Sequence, residues 1–134
     1  MVSAAIAATT NHLQIRAGSV VLPLWDPLRV AEEWSVVDNL SNGRVGISIA
    51  SGWQPNDFVL APENYADRKE VMFRGVETVQ KLWSGQSVTL PDGNQNLVDV
   101  SILPKPVQSE LPIWVTAAGS PETVKKAGEI GANV

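Results

Sequence analysis

Evenly apolar, β-branched runs recur along this chain with amphipathic helical stretches between them. Ile15–Leu24 (IRAGSVVLPL), Val45–Ala50 (VGISIA) and Ile113–Ala118 (IWVTAA) lack the strict in–out alternation of a half-exposed strand. Such runs suit strands buried on both faces of a parallel sheet. The intervening segments carry helix signals. Asp26-Pro27 supplies a capping carboxylate and a proline suited to the first helical position. Leu28, Ala31, Trp34, Val37 and Leu40 then fall on one face, and Asn42-Gly43 is a stop. Ala66 to Trp83 repeats the pattern through Met72, Val76, Val79 and Trp83. A third helix starts at Ser120-Pro121, with Val124, Ala127 and Ile130 inward, and a short one covers Ala4 to Thr10.

Two segments break the rhythm. Ser51 to Glu63 reads as a long loop. Ser87 to Val100 holds two short alternating runs around Pro91-Asp92-Gly93-Asn94, the signature of a small inserted antiparallel hairpin. Ala132-Asn133-Val134 reads as the opening of one more strand. The order α-β-α-β-α-hairpin-β-α predicts an α/β fold with a parallel sheet and right-handed crossovers. Two closures fit this order, a doubly wound open sheet or a barrel; no G-x-G-x-x-G and no G-x-x-x-x-G-K-[ST] is present, so the usual nucleotide-binding versions of the open sheet lose support. A complete (β/α)8 barrel takes roughly 250 residues and eight strands. If the closure is a barrel, residues 1–134 are a single partial barrel segment, lacking flanking strands and prone to oligomerise through its sheet edges.

Composition narrows the chemistry. With 44% hydrophobic and 18% charged residues the chain is globular in type, and its net charge of −4 argues against nucleic acid or an anionic membrane as partner. The absence of cysteine removes disulfides, thiolate metal sites and Cys nucleophiles, and suits a cytoplasmic setting. The single histidine, His12, lies before the first strand and reads as a surface or turn residue, so no His-based triad or metal site is expected. Asp67 to Glu70 reads as a solvated polar helix start. No acid, base or nucleophile stands out. That pattern is compatible with an enzyme whose cofactor carries the chemistry while the protein binds and shields it.

In barrels the site lies at the C-terminal ends of the strands. Three turns follow from that rule. Ala118-Gly119-Ser120 joins a strand to a helix start, where free N–H groups and the helix dipole favour an anion such as phosphate and Gly119 permits close backbone approach. A plain Ser cap after a tight turn would look the same. Ser51-Gly52-Trp53 offers a hydroxyl, a close-approach glycine and an aromatic wall for a flat ligand; an ordinary loop start with a packed Trp is the alternative. Pro23-Leu24-Trp25, after the first strand, is the third place the rule picks out.

The run IRAGSVVLPLWDPLRVAEEWSVVDNLSNGRVGISIASGWQPNDFVLAPENYADRKEVMFRGVETVQKLWSG, continued by LPIWVTAAGSPETVKKAGEIGANV, resembles luciferase-like flavin-dependent monooxygenases over essentially the whole chain. It is most similar to the subgroup associated with nonribosomal peptide and polyketide biosynthesis. The resemblance implies a (β/α) barrel that binds reduced FMN and activates oxygen to oxygenate an organic substrate, free or tethered to a carrier protein, with a flavin reductase as supplier. It places Ala118, Gly119 and Ser120 at the flavin phosphate, Ser51 and Gly52 beside the flavin, and Leu24 and Trp25 in the pocket wall. The subgroup tends to carry His where this chain has Trp25 and Gln54. Two other readings stay open: a deazaflavin-dependent oxidoreductase on the same barrel, and a non-catalytic truncated relative.

Overall fold

The structure is a computed structural model describing residues 2–134. Met1, part of the Ala-rich opening stretch, lies outside the described residues. Helix α1 (Val2–Thr9) precedes strand β1 (Ile15–Val21); α2 (Pro27–Ser41) leads to β2 (Val45–Ala50), and α3 (Arg68–Trp83) to the hairpin β3 (Val88–Pro91) and β4 (Leu97–Val100). Strand β5 (Ile113–Val115) and helix α4 (Pro121–Glu129) follow. The main sheet has the order β1-β2-β5, all parallel, with Ile15 level with Val45 and Ile47 level with Ile113. This is the α/β architecture that the alternation of runs predicts. The expected further strand begins as an isolated parallel bridge from Asn133 to Trp114.

Helix ends form where the sequence places them. The Asp26 carboxylate accepts from the Leu28 and Arg29 N–H groups at 2.8 and 3.4 Å, with Pro27 opening α2. Asn42 ends it in the left-handed region. In α3, Met72, Val76, Val79 and Trp83 are all buried, as their spacing predicts.

One core lies between the sheet and its helices. Val45, Ile47 and Ile49 have no exposed surface and pack with Ile15, Ile113, Val115 and the inner faces of the helices. Each such side chain contributes roughly 1.5–3 kcal/mol through burial. Two buried polar residues fasten the periphery. Asp38 receives hydrogen bonds from the 107–108 segment, and Arg44 donates to Ala7, Thr10, Leu13 and Ser41 carbonyls, tying the end of α1 to the start of β2.

Several expectations are corrected. The first strand stops at Val21, and Leu22–Leu24 forms a turn of 3-10 helix whose Leu22 seats against Gly75 of α3. The strand is not buried on both faces: Arg16, Gly18 and Ser19 are exposed, because only one face of the sheet is covered by helices. The last strand is shorter than predicted, and the 51–63 loop contains two 3-10 segments, Pro55–Leu60 and Pro62–Asn64, anchored by buried Phe58. Leu40 and Val124 point outward, half exposed. In α4 Ala127 is buried and Ile130 packs half-buried against the core, as expected, while Thr123 takes the inward place expected of Val124. No helix among the described residues is long and apolar enough to cross a membrane.

Candidate functional site

The C-terminal ends of β1, β2 and β5 surround a cleft of about 440 Å³. Parallel pairing forces this convergence, because all three strands deliver their following turns to the same edge. The turn after β2 contributes Ser51, Gly52 and Trp53; the turn after β5 contributes Ala118 and Ser120. Gly119, between the last two, has φ +79 with open space where a Cβ would stand. The sequence-predicted residues of these two turns, 65 or more positions apart, therefore meet around one space. Leu24 and Trp25 are placed differently. Leu24 closes the 3-10 turn on α3, Trp25 is 57% exposed beyond it, and neither lines the cleft.

The 51–53 turn is held from below. Gly52 has φ +75, and a Cβ there would stand 2.9 Å from both Phe58 and Val21, so no larger residue fits without displacement. Its carbonyl accepts from Arg68 Nε at 3.3 Å. Arg68 also donates to the Tyr65 carbonyl at 3.0 Å and lies over the Tyr65 ring, which packs edge-on against Phe58. Trp53 is left 75% exposed on the rim, free to cover a flat ligand.

On the opposite wall, Ser120 caps α4, its hydroxyl accepting from Thr123 N–H at a long 3.5 Å, so that hydroxyl is only weakly engaged. Thr116 closes the floor. Its hydroxyl lies 2.8 Å from Ser48 Oγ and 3.4 Å from Ser19 Oγ, a short line of hydroxyls joining all three strands.

Electrostatically the cleft is positive. Arg68 and Lys69 line it from the start of α3, and the N-terminus of α4 adds its dipole. The described lining contains no Asp, Glu or His. The site can thus hold an anion with hydroxyl-rich neighbours, and it offers no side chain suited to general acid–base work near neutral pH. Reading Asp67–Glu70 as a solvated face missed Arg68 and Lys69, because a polar helix start looks the same whether it meets water or a cleft. Ser19 and Thr116 were missed for a related reason, being single hydroxyl residues inside or just beyond apolar runs. Their position at the strand ends was the available signal.

Residues 1–134 match the family model of luciferase-like monooxygenases. The chain is 30% identical over 132 residues to an F420-dependent glucose-6-phosphate dehydrogenase of Amycolatopsis mediterranei, covering 95% of this chain and 39% of that protein. It is 30% identical over 108 residues to an FMNH(2)-dependent dimethylsulfone monooxygenase of Pseudomonas fluorescens, covering 78% and 29%. Among solved structures, the monooxygenase RslO1 of Streptomyces bottropensis superposes with a TM-score of 0.83 at 28% identity, over 97% of this chain and 40% of its own. The chain thus spans two fifths or less of the length of these relatives.

Proposed function

This chain belongs to the luciferase-like monooxygenase family, and on that premise we propose that its three parallel strands are an arc of a (β/α)8 barrel whose cleft holds reduced FMN for oxygenation of an organic substrate. The observation that carries this reading is the convergence of the 51–53 and 118–120 turns with Arg68 and Lys69 on one cleft. The residues present fit the group. Gly119 and the N-terminus of α4 suit a phosphate, with Ser120 as hydroxyl donor and Arg68 and Lys69 as neutralising charge. Ser51 and Gly52 would lie beside the ring system, and Trp53 would wall it. When bound, reduced FMN supplies the electrons that activate oxygen. The chain's own side chains bind, orient and exclude water.

The proposal extends to partners. A flavin reductase would deliver the reduced cofactor, and the substrate would be a small organic molecule, free or tethered to a carrier protein. Turnover would require further strands continuing the sheet from its edges, so that the face carrying Arg16, Ser48 and Trp114 lines the enclosed interior; alone, the chain would bind cofactor without completing the reaction. The free edge of β1 would favour self-association.

A second reading, a deazaflavin-dependent oxidoreductase, draws support from the F420-dependent relative at 30% identity. Equilibrium titration with FMN, riboflavin and F420, followed by tryptophan fluorescence, separates the two. FMN binding at least tenfold tighter than riboflavin supports the phosphate assignment. Tighter F420 than FMN binding favours the second reading, and failure of all three to saturate overturns both.

A further inference from the structure

On the sheet face turned away from the helices, the Arg16 guanidinium lies over the Trp114 indole, 4.4 Å from the ring centroid. Gly46 of the central strand makes room for it: a Cβ there would collide with Arg16 Nη1 and stand 2.9 Å from the Trp114 ring. Among the described residues no carboxylate lies within ion-pairing distance of Arg16. A guanidinium held over an aromatic ring still carries N–H groups that its ring contact does not use, and a pair of them matches a carboxylate in bidentate geometry.

The space beside Arg16, about 560 Å³, is also lined by Ala17, Ser48 and Val134. It shares Thr116 and Ala117 with the cofactor cleft, so the two adjoin. The Ser48–Thr116–Ser19 hydroxyl line runs between them. We infer that this face is a subsite for the carboxylate of an extended organic acid, held by Arg16 on Trp114 with its chain lying along the sheet toward the cleft. Placing the reacting end of that acid at the cofactor rests on the function proposed above; recognition of the carboxylate by Arg16 does not.

The test uses octanoate, octanamide and acetate, each titrated into the 134-residue chain with tryptophan fluorescence as readout and FMN titrated in parallel. Octanoate is expected to give a saturable change, with octanamide and acetate at least tenfold weaker. Arg16→Gln should erase the preference for acid over amide, and Arg16→Lys should keep a weakened one, since Lys retains charge but not the planar fork. Octanamide binding as tightly as octanoate, or an acid preference that survives in Arg16→Gln, overturns the inference. So does acetate binding as tightly as octanoate, which would assign Arg16 to a lone carboxylate such as an acidic side chain. The octanoate–octanamide comparison on the unsubstituted chain decides the matter even if a variant fails to fold. FMN binding without an octanoate response defeats this inference alone; an octanoate response without FMN binding defeats the cofactor reading alone.

Discussion

Asp38 and Gln108 are bound to each other twice across the chain: the buried carboxylate accepts from the Gln108 backbone N–H at 2.9 Å and from its side-chain amide at 2.8 Å. Val107 N–H adds a third bond at 2.7 Å, and the Gln108 amide also donates to the Val45 carbonyl. One helix residue thereby fixes the segment that leads into β5. Asp38→Ala leaves these donors without their charged acceptor. The expected cost is about 3 kcal/mol, at the upper end for hydrogen bonds to a charged group, read as a lowered urea midpoint. Gln108→Ala should cost less, since the Asp38 carboxylate keeps its two backbone donors.

Arg44 is the counterpart on the β1 side of the same end of the sheet. It is 9% exposed and donates to five oxygens, including the Ala7 and Thr10 carbonyls at the end of α1. Arg44→Met keeps the aliphatic stem but strands those carbonyls. A loss of about 2–4 kcal/mol is expected from several unpaired buried groups, together with faster amide exchange through α1 than through α3.

Gly52 couples stability to the cleft. Gly52→Ala must place a Cβ at positive φ against Phe58 and Val21, which should cost about 1–3 kcal/mol. Because the same residue anchors Arg68 through its carbonyl, FMN affinity should fall at least tenfold under conditions where circular dichroism still shows a folded chain. Unchanged affinity would separate this turn from the binding site.

The Glu70–Lys126 pair joins α3 to α4 at 2.8 Å. The hydrogen bond from Lys126, then its charge, hold the Glu70 carboxyl below its ordinary value, with Arg74 adding a smaller pull. A depressed folded pKa gives stability that is present above the unfolded pKa and lost as pH falls through the folded one. The stability difference between the unsubstituted chain and Glu70→Gln should therefore be small at neutral pH, shrink with added salt, and vanish on acidification through the carboxylate range. Urea midpoints at pH 7 and pH 3 check this.

The parts of the fold governed by local chemistry were legible in the sequence. Asp26-Pro27, Asn42-Gly43, Ser120-Pro121 and the Pro91–Asn94 turn all act where their chemistry predicts. Strand ends were less so: Leu22–Leu24 is as apolar as the strand before it, and it leaves the sheet where Pro23 removes a ladder donor and Leu22 packs against Gly75. Asp38 and Arg44 could not be recognised as buried, because what satisfies them lies as far as 70 and 37 residues away. For the site, the strand-end rule found the 51–53 and 118–120 turns. It had no means of adding Arg68, which reaches the cleft through the packing of the 54–67 loop.

The central claim is that the Ala118-Gly119-Ser120 turn holds the phosphate end of a flavin. It is tested most directly by titrating the chain and its Gly119→Val variant with reduced FMN under tryptophan fluorescence. Gly119 has φ +79 and no neighbour within 4 Å of a would-be Cβ, so the substitution disturbs the turn and its approach to a ligand rather than the core. Saturable quenching in the unsubstituted chain, weakened at least tenfold in Gly119→Val with circular dichroism unchanged, is the predicted result. Absence of saturation, or equal affinity in the variant, would contradict it.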